Sequence, residues 1–163
     1  MPIKDPKELF VRMLSDLRQG TERTTKIVQE LSESAQKREI KEALDARVFV
    51  LEKDLASLDQ CFSLIGEKPM KPTGRINEVF VEDFRRELAE MQSPEAKHLF
   101  ILMKANHLIH FRIAEYEALI AAADVTGHYG VGVLLESCLG DTLAFVGRYR
   151  HLIREHIYRE LAA

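Results

Sequence analysis

The 163-residue chain carries only two cysteines, five prolines and eight glycines, and what is scarce narrows what it can be. Cys61 and Cys138 lie far apart with no Cys-x-x-Cys spacing, so neither a structural zinc site nor a disulfide framework is expected; both thiols should be reduced and buried. There is no excess of positive charge. Lys+Arg 23 against Asp+Glu 26 leave a formal charge of -3, which offers no general attraction to nucleic acid or to an anionic membrane. No apolar run approaches the roughly 20 residues of a membrane-spanning helix, so no membrane partner is expected. The stretch from Met1 to Lys7 is charged and proline-bearing, unlike a signal peptide, and a cytoplasmic location is the expectation. A glycine-rich phosphate loop and a nucleophile elbow are also missing, because Gly127, Gly130 and Gly132 sit at a helix junction with no Lys-Ser/Thr after them.

What is present is helical periodicity. With 46% hydrophobic residues the chain can fill one core, and a single domain over residues 1–163 is expected. Asp5-Pro6-Lys7-Glu8 reads as a cap, a proline at the first helical position and a glutamate that can reach back. Leu9, Met13, Leu17, Thr21, Thr24, Ile27 and Leu31 then predict a first helix to about Ser32. Ile40, Leu44, Val48, Leu51, Leu55, Leu58 and Phe62 predict a second, ending at Gly66. After Pro69, Pro72 and Gly74 a short amphipathic helix runs from about Ile76 to Met91. Ser93-Pro94 opens a third long helix that stops at Gly127, and a fourth runs from about Tyr129 to Leu161. Two long helices, a long connection holding a short helix, and two more long helices outline an all-α, ferritin-like four-helix bundle with one long crossover.

In di-metal bundles of that kind, carboxylates and Glu-x-x-His pairs project inward at mid-helix to meet the cations. No Glu-x-x-His pair is expected. His107 and His110 share the third long helix, but the plainer reading is one exposed and one core histidine. Met103, Tyr116, Phe145 and Tyr149 read as core packing. Near the C-terminus Arg148, Arg150, His151, Arg154, His156 and Arg159 read as a solvated helix end complementing the helix dipole, with Glu155 and Glu160 diluting the charge, and no nucleic-acid partner is expected.

Leu14-Ser15-Asp16 and His110-Phe111-Arg112-Ile113-Ala114-Glu115-Tyr116, together with the helix lengths, resemble the YciE/YciF family of bacterial ferritin-like proteins. That resemblance runs through Leu14 to Asp59 and about Phe100 to Val146, and it implies association with stress responses and dimer formation. Carried over residue by residue, the metal pattern of the family falls on Thr21, with Glu22 one position off. It continues on Phe49 and Glu52, on Ile109, His110 and Arg112, and on Gly140, Asp141 and Thr142. Three scattered groups do not satisfy a divalent cation, which needs its charge compensated and its coordination filled at one point.

Phe49 and Ile109 are then expected to pack as core, and Arg112 to pair with Glu52 or Asp141. The expectation is a non-catalytic, stress-associated structural or interaction protein without cofactor or metal. It should pair as a homodimer through an apolar flank of Phe49, Val50 and Phe111. The alternative is a metal-binding oxidoreductase or metal-storage protein with a shifted or mononuclear site built from Glu22, Glu52, His110 and Asp141.

Overall fold

The computed structural model describes residues 3–71 and 74–161, apart from the side chains at 156–158, 160 and 161. Its regular elements are helices: α1 (Pro6–Ser34), α2 (Arg38–Ile65), α3 (Ile76–Glu90), α4 (Pro94–Thr126) and α5 (Tyr129–Leu161). The boundaries have local causes. The Asp5 carboxylate accepts from the Glu8 N–H at 2.9 Å, and Glu8 accepts from the Lys4 N–H at 2.8 Å, so α1 begins on satisfied donors. Ser93 caps α4 through the Ala96 N–H at 3.3 Å, with Pro94 following. Gly66 and Gly127 end α2 and α4 in the left-handed region, at φ 69 and φ 75.

In the bundle α1 packs on α2 and α4, and α5 packs on α2 and α4, which leaves α1 and α5, and likewise α2 and α4, as diagonals. The long connection after α2 makes this order possible, because α4 must start at the end of the bundle where α2 started. The Met70 N–H donates to Ser15 Oγ at 2.9 Å, holding the crossover against α1. Further along, α3 docks by stacking Phe84 on Phe100, with ring centroids 5.6 Å apart, and by ion pairs from Arg85 to Glu30 and Arg23 to Glu78.

Two expectations about helix faces need correction. At the start of α1 the buried residues are Phe10, Leu14 and Leu17, whereas Leu9 is exposed and Met13 half-buried, because the inward stripe starts one residue later than expected. Met103, expected in the core, is half exposed on the outer side of α4. In contrast, Tyr116, Phe145 and Tyr149 are buried as expected, and the Tyr149 hydroxyl donates to the Leu102 carbonyl at 3.0 Å.

The membrane expectation also changes. Over Tyr129–Glu155, α5 is long and apolar enough to cross a bilayer, with mean hydropathy 1.4 in its most apolar window. Glu136 and Asp141 interrupt the run and hid it from a search for unbroken apolar stretches. Its apolar composition has another use here, since Val131, Leu135, Cys138, Phe145 and Val146 are buried in the bundle.

The apolar core is two clusters, one toward each end. Ile27, Leu44, Phe84, Ile101 and Tyr149 belong to one, and Phe10, Leu58, Tyr116, Leu119 and Leu135 to the other. Between them lies a polar layer that includes two fully buried arginines, Arg47 and Arg112. Room for the second is made by Gly20 on α1. A Cβ there would lie 2.2 Å from Arg112 Nη1, and the guanidinium is boxed in by its partners, so it cannot swing aside without losing them. Gly20→Ala is therefore expected to lower the unfolding free energy by about 2–4 kcal/mol, combining overpacking with displacement of a buried cation. Gly140→Ala, where nothing lies within 4 Å, should be neutral or stabilising by up to about 1 kcal/mol. Urea melts of the two variants that coincide would contradict the packing argument.

Candidate functional site

The middle of the bundle is where the helices bring their unusual polar residues together. The inward positions of α2 follow the spacing Leu44, Arg47, Leu51, Asp54, Leu58, Cys61, alternating steps of three and four. Facing them are Thr21 and Thr24 from α1, Arg112 and Tyr116 from α4, and Cys138 and Thr142 from α5, all buried.

Arg112 is 0% exposed. It pairs with Glu115 through Nη1 at 2.7 Å, donates to Asn77 Oδ1 at 3.1 Å, and reaches the Leu17 carbonyl at 3.4 Å. Its guanidinium carbon also lies 4.9 Å from the Phe111 ring centroid. Burial lowers the pKa of the group, and the carboxylate of Glu115 opposes that shift. Arg47 is held less fully. Nη1 donates to Thr142 Oγ1 at 3.3 Å and the guanidinium lies 5.6 Å from the Phe145 ring centroid, while Nη2 makes no hydrogen bond. Burial lowers its pKa too.

Asp54 is 1% exposed and neither carboxylate oxygen has a formed hydrogen bond. The Tyr116 hydroxyl and the Cys138 thiol act on it without reaching hydrogen-bond geometry, and Arg47 attracts it from a distance. Burial dominates these, raising the carboxyl to about 6. The same burial pushes the Cys138 thiol up to about 12 and raises the Tyr116 phenol, so both stay protonated at neutral pH. Cys61 and Cys138 are buried and free, as expected.

The residues expected to mark a former metal site are not brought together. Glu22 lies beside Arg18 at 3.6 Å and Lys26 at 3.5 Å on the flank of α1. Glu52 is exposed, and Asp141 pairs with Lys53 at 2.6 Å. His110 is half-buried on α4 and His107 exposed, so neither is a core histidine. Phe49, expected in the core, is 70% exposed, while Ile109 is buried as expected. The second-helix pattern expected on Phe49 and Glu52 lies two residues out of phase with the inward stripe of α2, which passes through Leu51 and Asp54. Arg112 pairs with Glu115, not with Glu52 or Asp141, because the i,i+3 carboxylate on its own helix is nearer.

The chain does contain one Glu-x-x-His spacing, Glu95 to His98, in the first turn of α4 and outside the mid-helix region. There Glu95 accepts from Ser93 Oγ at 2.6 Å, so it serves the helix cap. Among the described residues no three of His, Cys, Asp and Glu form a group that could hold a metal.

Away from the centre, an open apolar groove of about 600 Å³ runs along α2 and α5, with Phe49, Val50 and Leu152 in its walls. Since α2 and α4 are diagonal, Phe49 and Val50 do not share a flank with Phe111.

The arrangement has known counterparts. A family model described as a domain of unknown function, DUF892, matches residues 5–162. The chain belongs to the DUF892 family. Among solved structures, the stress protein YciF of Escherichia coli matches with TM-score 0.88 and 19% identity, covering 96% of this chain and 99% of that one. YcfI of Rhodopseudomonas palustris, to which a structural role has been ascribed, matches with TM-score 0.86 and 23% identity, over 91% and 94%. A protein of Xanthomonas campestris pv. campestris matches with TM-score 0.72 and 18% identity, over 96% and 99%. These bear out the YciE/YciF resemblance and the helical-bundle fold. A comparison with curated proteins found no match.

Ferritin-like bundles can hold two metal ions at this depth, so the residues of this DUF892 member can be tested for fit. They do not fit. One carboxylate, a phenol and a thiol are too few donors, and two buried guanidinium groups oppose a further positive charge.

The burial of Asp54 has a measurable consequence. The folded protein keeps the Asp54 proton up to about pH 6, while the unfolded chain releases it near 3.8. Its contribution to stability is therefore complete below the unfolded value and is lost as pH rises through the folded one. Asp54→Asn removes that loss. The variant should match the parent below about pH 4 and become more stable by about 3 kcal/mol at neutral pH, at roughly 1.4 kcal/mol per pKa unit. Urea unfolding of both proteins across pH 3.5 to 7.5 checks this, and parallel curves would refute it.

Proposed function

We propose that this DUF892 protein is a non-catalytic structural or interaction protein of the cytoplasm, associated with stress and working as a homodimer whose bundle no longer carries a metal. The observation that carries this reading is the pair of buried arginines. Arg47 and Arg112 fill the layer in which a di-metal bundle needs carboxylate and imidazole, and Gly20 is shaped to admit one of them. The names of the similar structures, a stress protein and a protein with an ascribed structural role, point the same way. Net charge of -3 supports neither nucleic acid nor an anionic membrane as partner.

One observation favours the metal-binding alternative. Asp54 is a buried carboxylate with no formed partner, beside Tyr116 and Cys138, and a bound ion is one way to satisfy a buried group of that kind. It stands alone, whereas cation binding needs several such groups.

Elemental analysis of protein purified without chelators separates the two. Iron and manganese are expected far below one per chain, with no consumption of oxygen or peroxide on reconstitution. Near-stoichiometric metal would overturn the non-catalytic reading. Light scattering should give a mass near twice 18.7 kDa, and a strict monomer at micromolar concentration would remove the homodimer.

A further inference from the structure

The outer side of α4 does not look like a solvent-facing helix. Its inward side is buried in the bundle, as for any core helix, yet its exposed positions include Met103, Ala114, Ala118, Ala121 and Val125. Met103 is 50% and Val125 80% exposed. These recur with His107 and His110 at steps of three and four over about 33 Å, the spacing of a helix-packing stripe. A helix apolar on both its faces, with one face uncovered, is the pattern of an element with a missing neighbour.

From these positions we infer that α4 packs antiparallel against α4 of a second copy, with the two-fold axis passing beside Ala114. The residue types argue for this occupant, because the stripe is complementary to its own reversal. Around Ala114, inversion places Met103 opposite Val125 of the other copy and His107 opposite Ala121. On one flank it sets the His110 imidazole against the Glu117 carboxylate, at levels within about 1.5 Å of each other. On the other flank the half-buried Phe111 lies about 4.5 Å from Ala114 toward the N-terminus, and Ala118 about 6 Å toward the C-terminus.

On the flank of Ala118 the surface is already hollow. A groove of about 260 Å³ is formed there by Ala114, Glu115, Ala118 and Leu119 of α4 with Met13 and Asp16 of α1. The two-fold brings the Phe111 ring of each copy to the level of this groove in the other, so ring and hollow, one turn apart on the same helix, exchange across the axis. Alanines at 114, 118 and 121 let the helix axes approach to about 8 Å, the close end of helix packing. The α2–α5 groove lies on the opposite side of the bundle from Phe111.

This inference rests on the homodimer reading and names its interface. It is tested in the full chain. Ala114→Cys places a thiol beside its own copy on the two-fold, so mild oxidation should give a disulfide-linked dimer on a non-reducing gel; Cys61 and Cys138 are buried and contribute no background. Ala118→Glu, at an exposed helix position, should reduce the light-scattering mass from twice 18.7 kDa to 18.7 kDa with circular dichroism unchanged. Glu117→Lys should weaken the dimer at least tenfold, and His110→Glu combined with Glu117→Lys should restore it. A parent that is dimeric while Ala114→Cys stays uncrosslinked and Ala118→Glu stays dimeric would overturn this interface and leave the homodimer standing. A monomeric parent would remove both.

Discussion

A cation buried in the centre of a helical bundle must be compensated on every side, and much of this molecule is arranged around Arg112. Moving a guanidinium from water into a protein interior costs several kcal/mol, which only close opposite charge and filled hydrogen bonds can offset. Three helices supply these: Glu115 comes from its own helix, the Leu17 carbonyl from α1, where Gly20 leaves the space, and Asn77 from the start of α3, while Nε alone makes no hydrogen bond. The crossover helix is thereby coupled to the bundle centre as well as to its surface.

The rest of the polar layer is less complete. Arg47 has one hydrogen bond and the face of Phe145, and Asp54 has neither a counter-ion within ion-pair reach nor a formed hydrogen bond. Layered between two well-packed apolar clusters, these groups cost stability and supply no ligand set.

Helix existence and order were legible in the residues, down to Asp5, Ser93, Gly66 and Gly127 as boundaries, because caps and terminators act within one turn of chain. The helix faces were less so. On α2 apolar recurrence alone predicts an inward stripe through Leu44, Val48, Leu51 and Leu55, while the observed stripe includes Arg47 and Asp54. A search for apolar recurrence passes over charged residues, and those charged residues carry the central layer. Phe49, expected inside from the metal pattern of the family, is an exposed ring on the outer side of α2. The one available signal was the strict three-four spacing from Leu44 to Cys61, which Phe49 and Glu52 break.

By itself the sequence determined the number, length and order of the helices, their family, and the scarcity of metal ligands, since each depends on residue type and short-range spacing. Only the tertiary structure decided which residues meet. Arg112 and Gly20 are 92 positions apart in the chain, and their fit arises from two helices crossing at that point. Whether a charged residue faces the core or the solvent depends on the rotation of its helix against three others, and that rotation is settled by the packing of all of them together.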